Sequence, residues 1–213
     1  PKVVLWGCNT GENEELVFAG GSLCSKGDPD HQARCLYVGK NVPHQNGGGG
    51  SFPHSMENFY VSMASLMAGW SNFTFAAFER KLDGIASRKN QGICRVYLDY
   101  PGKTHSKTDG VPAFLVPGLK FAYYGSKKCV DGTTSAGCNL SPDWSNTTLR
   151  KAMTTLINEM GKRYDGDKRI AFWQVGFLGQ WGEWHDPGNA QGGPQWADKD
   201  VQNEILLAFN TSF

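Results

Sequence analysis

Alternation of strand-like and helix-like segments is the feature that most limits what this chain can fold into. Short apolar runs rich in aromatic and β-branched residues are typical of strands, and apolar residues at three- and four-residue spacing are typical of helices. A near-continuous apolar strand belongs to a parallel sheet covered by helices, so the pattern predicts an α/β fold with parallel strands. The predicted strands are 56–63, 93–98 and 170–177, and the predicted helices are 75–85, 149–164 and about 198–209.

The strand at 93–100 has two chemically different faces. Successive side chains of a strand point to opposite sides, so its polar and apolar residues separate cleanly. A polar inner face and an apolar outer face are typical of a barrel strand whose interior holds a site, whereas an open doubly wound sheet needs both faces apolar. The polar face carries Arg95, Tyr97 and Asp99, and the other carries Val96, Leu98 and Tyr100.

Composition excludes several classes of protein. A net charge of +1, with 39% hydrophobic and 19% charged residues, argues against a disordered chain and against a nucleic-acid-coating surface. The uncharged run 58–78 has the length of a membrane span, but it contains several serines and a glycosylation sequon, so we expect no membrane helix. The first ten residues lack the pattern of a signal peptide, which favours a mature or truncated chain.

Cysteines and sequons together indicate an oxidising compartment. The six cysteines form no CxxC pair, which argues against a zinc site, and we expect neither a metal nor a cofactor. Short spacings favour the pairs Cys24–Cys35 and Cys129–Cys138, which leaves Cys8 with Cys94, although six cysteines allow about 15 pairings and six buried thiols are the alternative. Four N-x-[ST] sequons support a secreted or surface glycoprotein. They lie at Asn72, Asn139, Asn146 and Asn210.

The segment 179–185 (GQWGEWH) carries the chemistry. It follows a predicted parallel strand directly, and the carboxyl ends of such strands form the catalytic face of α/β barrels. Two indoles beside Glu183 would desolvate its carboxyl and raise its pKa, as a general acid needs, and tryptophan faces suit sugar rings. The segment therefore predicts cleavage or binding of carbohydrate, with Glu183 as general acid/base. Expected ligand contacts are Arg95, Tyr97, Asp99, Trp181, Trp184 and His185.

Structural interpretations of the same residues stay open. Glu183 could only fix its own turn, or bind a metal together with His185, although no third ligand is evident. Asp99 and Arg95 could form a buried ion pair instead of contacting a ligand. Trp70 and Trp173 are more typical of a core than of a binding surface.

Several blocks of the chain resemble a family called domain of unknown function 4832, a relative of the clan-A glycoside hydrolases. The resemblance covers about residues 52–210 and leaves 1–50 unexplained. It implies a (β/α)8 barrel with strands two and three at 56–63 and 93–99, and with Glu183 as the acid/base that ends strand four. The clan usually has asparagine just before this residue, whereas this chain has Gly182. The blocks are 95–102 (RVYLDYPG), 110–115 (GVPAFL), 141–143 (SPD), 163–167 (RYDGD), 169–171 (RIA) and 179–185.

The length of 213 residues fits only about the first four β/α units of a barrel, which typically takes about 250 residues. We therefore expect an irregular, disulfide-containing segment at 1–50, which includes most of the linker-like run Gly47–Ser51, and half a barrel at 51–213. A further segment or chain would complete the barrel and supply the nucleophile of a retaining hydrolase. The alternative is a catalytically inactive barrel that serves as an extracellular structural or carbohydrate-binding glycoprotein. Neither interpretation predicts a nucleic-acid partner.

Overall fold

A computed structural model of the chain describes residues 2–4, 55–100, 110–125, 138–185 and 196–213. The strands are β1 (Lys2–Val4), β2 (Met56–Ser62), β3 (Met67–Gly69), β4 (Asn72–Phe73), β5 (Gln91–Asp99), β6 (Phe121–Gly125), β7 (Cys138–Pro142), β8 (Ile170–Gln174) and β9 (Phe177–Gln180). The largest sheet is parallel and has the order β1-β8-β5-β2, with β9 also paired to β5. The antiparallel pairs β3-β4 and β6-β7 are separate from it. The helices are α1 (Met63–Leu66), α2 (Ala76–Ser87), α3 (Thr147–Tyr164) and α4 (Lys199–Ser212).

The predicted α/β fold with parallel strands is confirmed, and each predicted strand and helix has a counterpart. The predicted strand 170–177 is two strands, because the chain bends at Gly176, where a side chain would collide with the Val96 carbonyl oxygen. Residues 101–145, which contain none of the predicted strands or helices, include the β6-β7 pair, and Lys2–Val4 forms a strand in a segment expected to be irregular. The rest of that segment, including Gly47–Ser51, lies outside the described residues.

The described sheet is open. β2, β5 and β8 lie side by side in the sheet in the same order as along the chain, as successive barrel strands do. β1, however, pairs with β8 and not with β2. In a barrel a first strand lies beside the second, so this edge differs from barrel order. A closed barrel is not formed by the strands that the structure describes.

The long helices contact one face of the sheet, and Trp173 is the centre of their contacts. Its ring stacks on Phe78 of α2 at 5.5 Å, lies 6.1 Å from Tyr164 of α3, and lies 5.3 Å from Phe213 at the end of α4. On β5 the residues Cys94 and Val96 are buried in the same core. The apolar face of the sheet is therefore the helix-covered face.

Helix α3 ends at the predicted residue and begins two residues before the predicted start. The Asn146 side chain accepts hydrogen bonds from the backbone N–H groups of Thr148 and Leu149, so it caps the first turn. After Tyr164 the chain turns through Gly166, whose φ is +76°. The predicted stripe is buried along its length, and it consists of Leu149, Met153, Leu156, Ile157, Met160 and Tyr164.

Arg169 joins α2 to the turn before β8. Its guanidinium lies 2.8 Å from Glu79, 2.6 Å from Asp83 and 2.6 Å from Asp167. Hydrogen bonds from Arg169 hold the pKa of Asp167 below its usual value. The network therefore fixes α2 at the end of the sheet opposite the 179–185 turn.

Replacing Arg169 with alanine is expected to lower the free energy of unfolding by about 1 kcal/mol, because one guanidinium serves three carboxylates but water screens it in part. A lowered pKa of Asp167 in the folded state adds stability that is present near neutral pH and is lost as pH falls through that pKa. Urea unfolding at neutral and at acidic pH should therefore show a smaller gap between wild type and variant in acid. Lys162→Ala, which removes an exposed pair with Glu159 at 3.3 Å, is the control and should change stability by less than about 0.5 kcal/mol. Equal losses in the two variants would contradict the role of the network.

Candidate functional site

The face of the sheet opposite the helices carries polar side chains in register. Tyr60 of β2 is paired with Arg95 of β5, so the two side chains stand next to each other. Cys94 of β5 is paired with Trp173 of β8, and Arg95 and Gln174 are the next residues of these strands, so both face the side opposite to that pair. Gln174 therefore extends the polar row onto β8. Arg95 and Gln174 are only 6% exposed, so this row is buried despite its polarity.

Glu183 lies against this row. Its Oε1 accepts a hydrogen bond from Arg95 Nη1 at 2.6 Å and another from the Tyr60 hydroxyl at 3.0 Å. The same Arg95 nitrogen donates to the Tyr60 oxygen at 2.7 Å, and the guanidinium lies 4.5 Å from the centre of the Tyr60 ring. The three side chains form one group, called here the Tyr60–Arg95–Glu183 cluster.

Tyr60 acts in this cluster as a neutral phenol. Burial is the largest influence and raises the pKa of its hydroxyl, Arg95 lowers it, and Glu183 raises it further. The hydroxyl therefore keeps its proton and donates a hydrogen bond to the Glu183 carboxylate.

Close backbone packing brings Glu183 over the sheet. A side chain on Gly182 would meet the Val96 carbonyl oxygen at 2.5 Å, and one on Gly176 would meet the Arg95 Cγ at 2.9 Å. The backbone at Gly182 also has φ +69°, in the left-handed region that favours glycine. The turn after β9 thus folds back on β5, and position 182 admits only glycine without strain.

The expected ligand contacts fall into two groups. Arg95 contacts Glu183 directly. Trp181 stacks on His185 at 6.0 Å and lies 6.3 Å from Tyr100, whose ring is 4.9 Å from that of Tyr97. These rings form an aromatic group next to the turn, and the backbone N–H of Trp181 donates to the Asp99 carbonyl oxygen at 2.6 Å. Asp99 itself is 2% exposed.

Trp184 and Arg95 each make a contact within the protein that their position in the sequence did not predict. The Trp184 indole N–H donates to the Gly176 carbonyl oxygen at 2.8 Å, and its ring packs edge-on against Trp196, so Trp184 holds the turn in place. The ion pair of Arg95 is with Glu183.

Tryptophans 70 and 173 have opposite environments. Trp173 is 1% exposed, as expected of a core residue, whereas Trp70 is 41% exposed. Trp70 lies edge-on to Phe114 at 5.7 Å, and the Lys151 ammonium is 5.4 Å from its ring. The core interpretation of Trp70 is therefore wrong.

Cys94 carries a free and fully buried thiol, so the structure does not contain the bond to Cys8 that the spacing suggested. Burial raises the pKa of this thiol well above its usual value, which keeps it protonated. The side chains of the other five cysteines lie outside the described residues. The thiol faces the helix-covered core, where the strand needs an apolar group.

The sequons occupy different settings. Asn72 is exposed at β4 and Asn210 is exposed on α4, while Asn146 is the N-cap of α3. The Asn139 side chain lies outside the described residues, and Ser141 of its sequon is 2% exposed. Asn72 and Asn210 therefore present the most accessible amides for attachment of a glycan.

Tyr60, Asn58 and Gln174 belong to the site but were missed by sequence reasoning. The alternation of Asn58, Tyr60 and Ser62 with the apolar Phe59 and Val61 was the available signal, since it repeats the two-faced pattern of β5. Two acceptors on this face, Asn58 Oδ1 and Gln174 Oε1, are buried without a hydrogen-bond partner, and so is the His185 Nδ1 in the adjoining turn. Unsatisfied buried polar atoms therefore gather around the cluster.

Across the described ranges there is no group of three His, Cys, Asp or Glu side chains that could hold a metal ion. None of the helices within those ranges has the length and apolar character needed to cross a membrane. No protein-family model matches the chain, and no curated protein matches it significantly.

Proposed function

We propose that this chain is part of a glycoside-hydrolase-like (β/α)8 barrel that acts on carbohydrate, with Glu183 as general acid/base. The observation that carries the proposal is the Tyr60–Arg95–Glu183 cluster on the polar face of a parallel sheet. A carboxyl group just after a parallel strand occupies the place where α/β barrels keep their catalytic side chains.

The layering of the sheet supports the barrel. Helices α2, α3 and α4 contact the face with Trp173, and the opposite face carries the polar row, as expected of a barrel wall with helices outside and a site inside. β2 stands at one end of the described sheet, and a further segment or chain could pair with it. We propose that such strands complete the barrel and bring the second carboxylate that a retaining mechanism needs at about 5 Å.

The aromatic group beside the cluster supports a sugar ligand. Indole and phenol rings offer flat apolar surfaces that match the C–H face of a pyranose ring. Trp181 is half-buried, and it stands beside His185 and Tyr100 at the turn that carries Glu183. Secretion as a glycoprotein is part of the same proposal, and the exposed Asn72 is its most direct support.

Binding without hydrolysis is the second candidate, and one contact favours it. The Arg95 guanidinium forms an ion pair with Glu183 at 2.6 Å, which engages one carboxylate oxygen and holds the side chain in place. A carboxylate held in this way can accept hydrogen bonds from sugar hydroxyls without cleaving the glycosidic bond. The protein would then be an extracellular carbohydrate-binding or structural glycoprotein.

Replacement of Glu183 with glutamine is the decisive test. In a screen of glycan substrates on the full-length protein, we expect hydrolysis to fall at least about 100-fold, because glutamine keeps the volume of the side chain but cannot exchange a proton. The matched control is Glu204→Gln. Glu204 lies on α4 and forms a surface ion pair with Arg150 of α3, so this variant should leave hydrolysis unchanged. Hydrolysis unchanged in Glu183→Gln removes Glu183 from the role. Binding on a glycan array without turnover in wild type supports the second candidate instead.

A further inference from the structure

In the part of the chain that the structure describes, a tyrosine, an arginine and a glutamate come together in two places. In one, the Tyr60 hydroxyl donates to Glu183 at 3.0 Å and accepts from Arg95 at 2.7 Å. In the other, the Tyr164 hydroxyl donates to Glu79 at 3.0 Å and accepts from the Arg163 Nε at 3.2 Å. The second group joins α2 to α3 on the helix-covered side, whereas the first lies on the polar face with Glu183 at its open side.

Exposure separates the two groups further. In the cluster the arginine side chain is 7% exposed and that of Glu183 is 23% exposed, so the base of the group is buried and its carboxylate is within reach of solvent. In the group that joins α2 to α3 the arginine is the more exposed of the two partners. The Arg163 side chain is 51% exposed and that of Glu79 is 25% exposed. Only the first of these two arrangements presents a carboxylate on a fixed, buried support.

Tyr60 is the most constrained member of this support. Arg95 lies over its ring and donates to its oxygen, and the Lys81 ammonium donates to its backbone carbonyl oxygen at 3.2 Å. Its hydroxyl hydrogen is thereby directed at Glu183 Oε1. The Tyr60 side chain thus connects β2 both to Arg95 of β5 and to the turn that carries Glu183.

We infer that Tyr60 is the positioning residue of the site, which fixes one oxygen of Glu183 and sets the readiness of that carboxylate to take up a proton. The inference rests on the proposed function for its catalytic meaning, but its physical content concerns the proton affinity of Glu183 alone. Arg95 and Tyr60 are both charged or titratable groups that face Glu183. A hydrogen bond donated to a carboxylate favours its charged form.

Replacing Tyr60 with phenylalanine keeps the ring beneath Arg95 and removes only the hydroxyl. We expect the proton affinity of Glu183 to rise about 5-fold, which corresponds to the loss of one hydrogen bond of ordinary strength. The measurement is NMR titration of the carboxyl carbons in full-length protein labelled at glutamate, with Glu183→Gln used to assign the signal. If the protein hydrolyses a glycan, the matching limb of its pH–rate profile should move to higher pH, and the rate should fall at least about 10-fold because the carboxylate loses its fixed geometry.

Tyr164→Phe is the matched control, since it removes the same hydroxyl from the same kind of group. It should leave the Glu183 titration and the pH–rate profile unchanged, although it costs a comparable amount of stability. Arg95→Lys is a second variant that keeps the charge and loses the contact over the ring, and it should also raise the proton affinity of Glu183. An unchanged Glu183 titration in Tyr60→Phe overturns the inference, whether or not the protein hydrolyses glycans. A protein without hydrolysis whose Glu183 titration still moves in Tyr60→Phe keeps the inference and loses the catalytic proposal.

Discussion

Gly182→Ala should destabilise the fold and displace the candidate site, with a loss of about 3 kcal/mol in the free energy of unfolding. The backbone there has φ +69°, which costs a residue with a side chain about 1–2 kcal/mol. The added Cβ would also lie 2.5 Å from the Val96 carbonyl oxygen, which belongs to the rigid central strand and cannot move aside. Urea unfolding measures the loss, and the Glu183 carboxyl signal in NMR should shift because its turn is pushed away from Arg95.

Two other glycines separate the contributions to this effect. Gly166 has φ +76° but open space where a methyl group would be added, so Gly166→Ala should cost only about 1 kcal/mol. Gly118 has neither a positive φ nor a neighbour within 4 Å of an added Cβ, and Gly118→Ala should lie within about 0.5 kcal/mol of wild type. If Gly182→Ala costs no more than Gly166→Ala, close packing on Val96 is not what fixes the turn.

The same geometry explains a departure from the resembling clan. That clan carries asparagine before its acid/base, and asparagine tolerates a left-handed backbone better than most residues do. It nevertheless has a Cβ, which would meet Val96 as the alanine does. Glycine at 182 is therefore a requirement of this turn, whatever the ligand of the site.

Trp173→Ala should have the largest effect on stability, about 3–5 kcal/mol, which is the usual range for removing a large aromatic side chain from a core. Its ring contacts α2, α3 and the end of α4 together, so the cavity would open where three helices meet the sheet. Each neighbour, Phe78, Tyr164 and Phe213, would lose its contact with the indole ring. Thermal and urea unfolding of the purified variant measure the loss.

Trp173→Phe and Trp70→Ala bracket this prediction. Phenylalanine keeps much of the stacking and removes the indole N–H, which is buried without a hydrogen-bond partner, so Trp173→Phe should cost far less than alanine does. Trp70 is 41% exposed, and Trp70→Ala should cost about 1 kcal/mol or less. A Trp173→Ala variant as stable as Trp70→Ala would mean that the three helices do not depend on a shared contact.

The fold class was predictable because the local patterns are strong. The apolar residues at helical spacing from Leu149 to Tyr164 predict a helix with one buried face. The alternating residues around Arg95 predict a strand with one polar and one apolar face, and the structure contains both elements. The break at Gly176 was not predictable, since a run of apolar residues does not record the contact of a glycine with a neighbouring strand. The β6-β7 pair was missed because nothing in the run of residues 101–145 distinguishes a short antiparallel pair from a loop.

The site was predictable only in part, for the same physical reason. Glu183 and Arg95 stand out by residue type and position, but their contact at 2.6 Å depends on a turn that folds back over β5. Tyr60 enters the site through strand register, which one strand does not reveal about its neighbour. The hydrogen bond from the Trp184 indole N–H to the Gly176 carbonyl oxygen could not be predicted, because the sequence does not show that the turn brings these two residues together.

The alternation of residues 58–62 in β2 has a consequence for how such a protein can change over time. Phe59 and Val61 pack in the core, while Asn58 and Tyr60 lie on the side of the cluster, so neighbouring positions serve the core and the cluster separately. Substitutions on the polar side create no cavity in the core, and their energetic effects should add independently to changes on the other side. A chain built in this way can acquire a new ligand preference by exchanging a few polar residues, without any compensating adjustment of its packing.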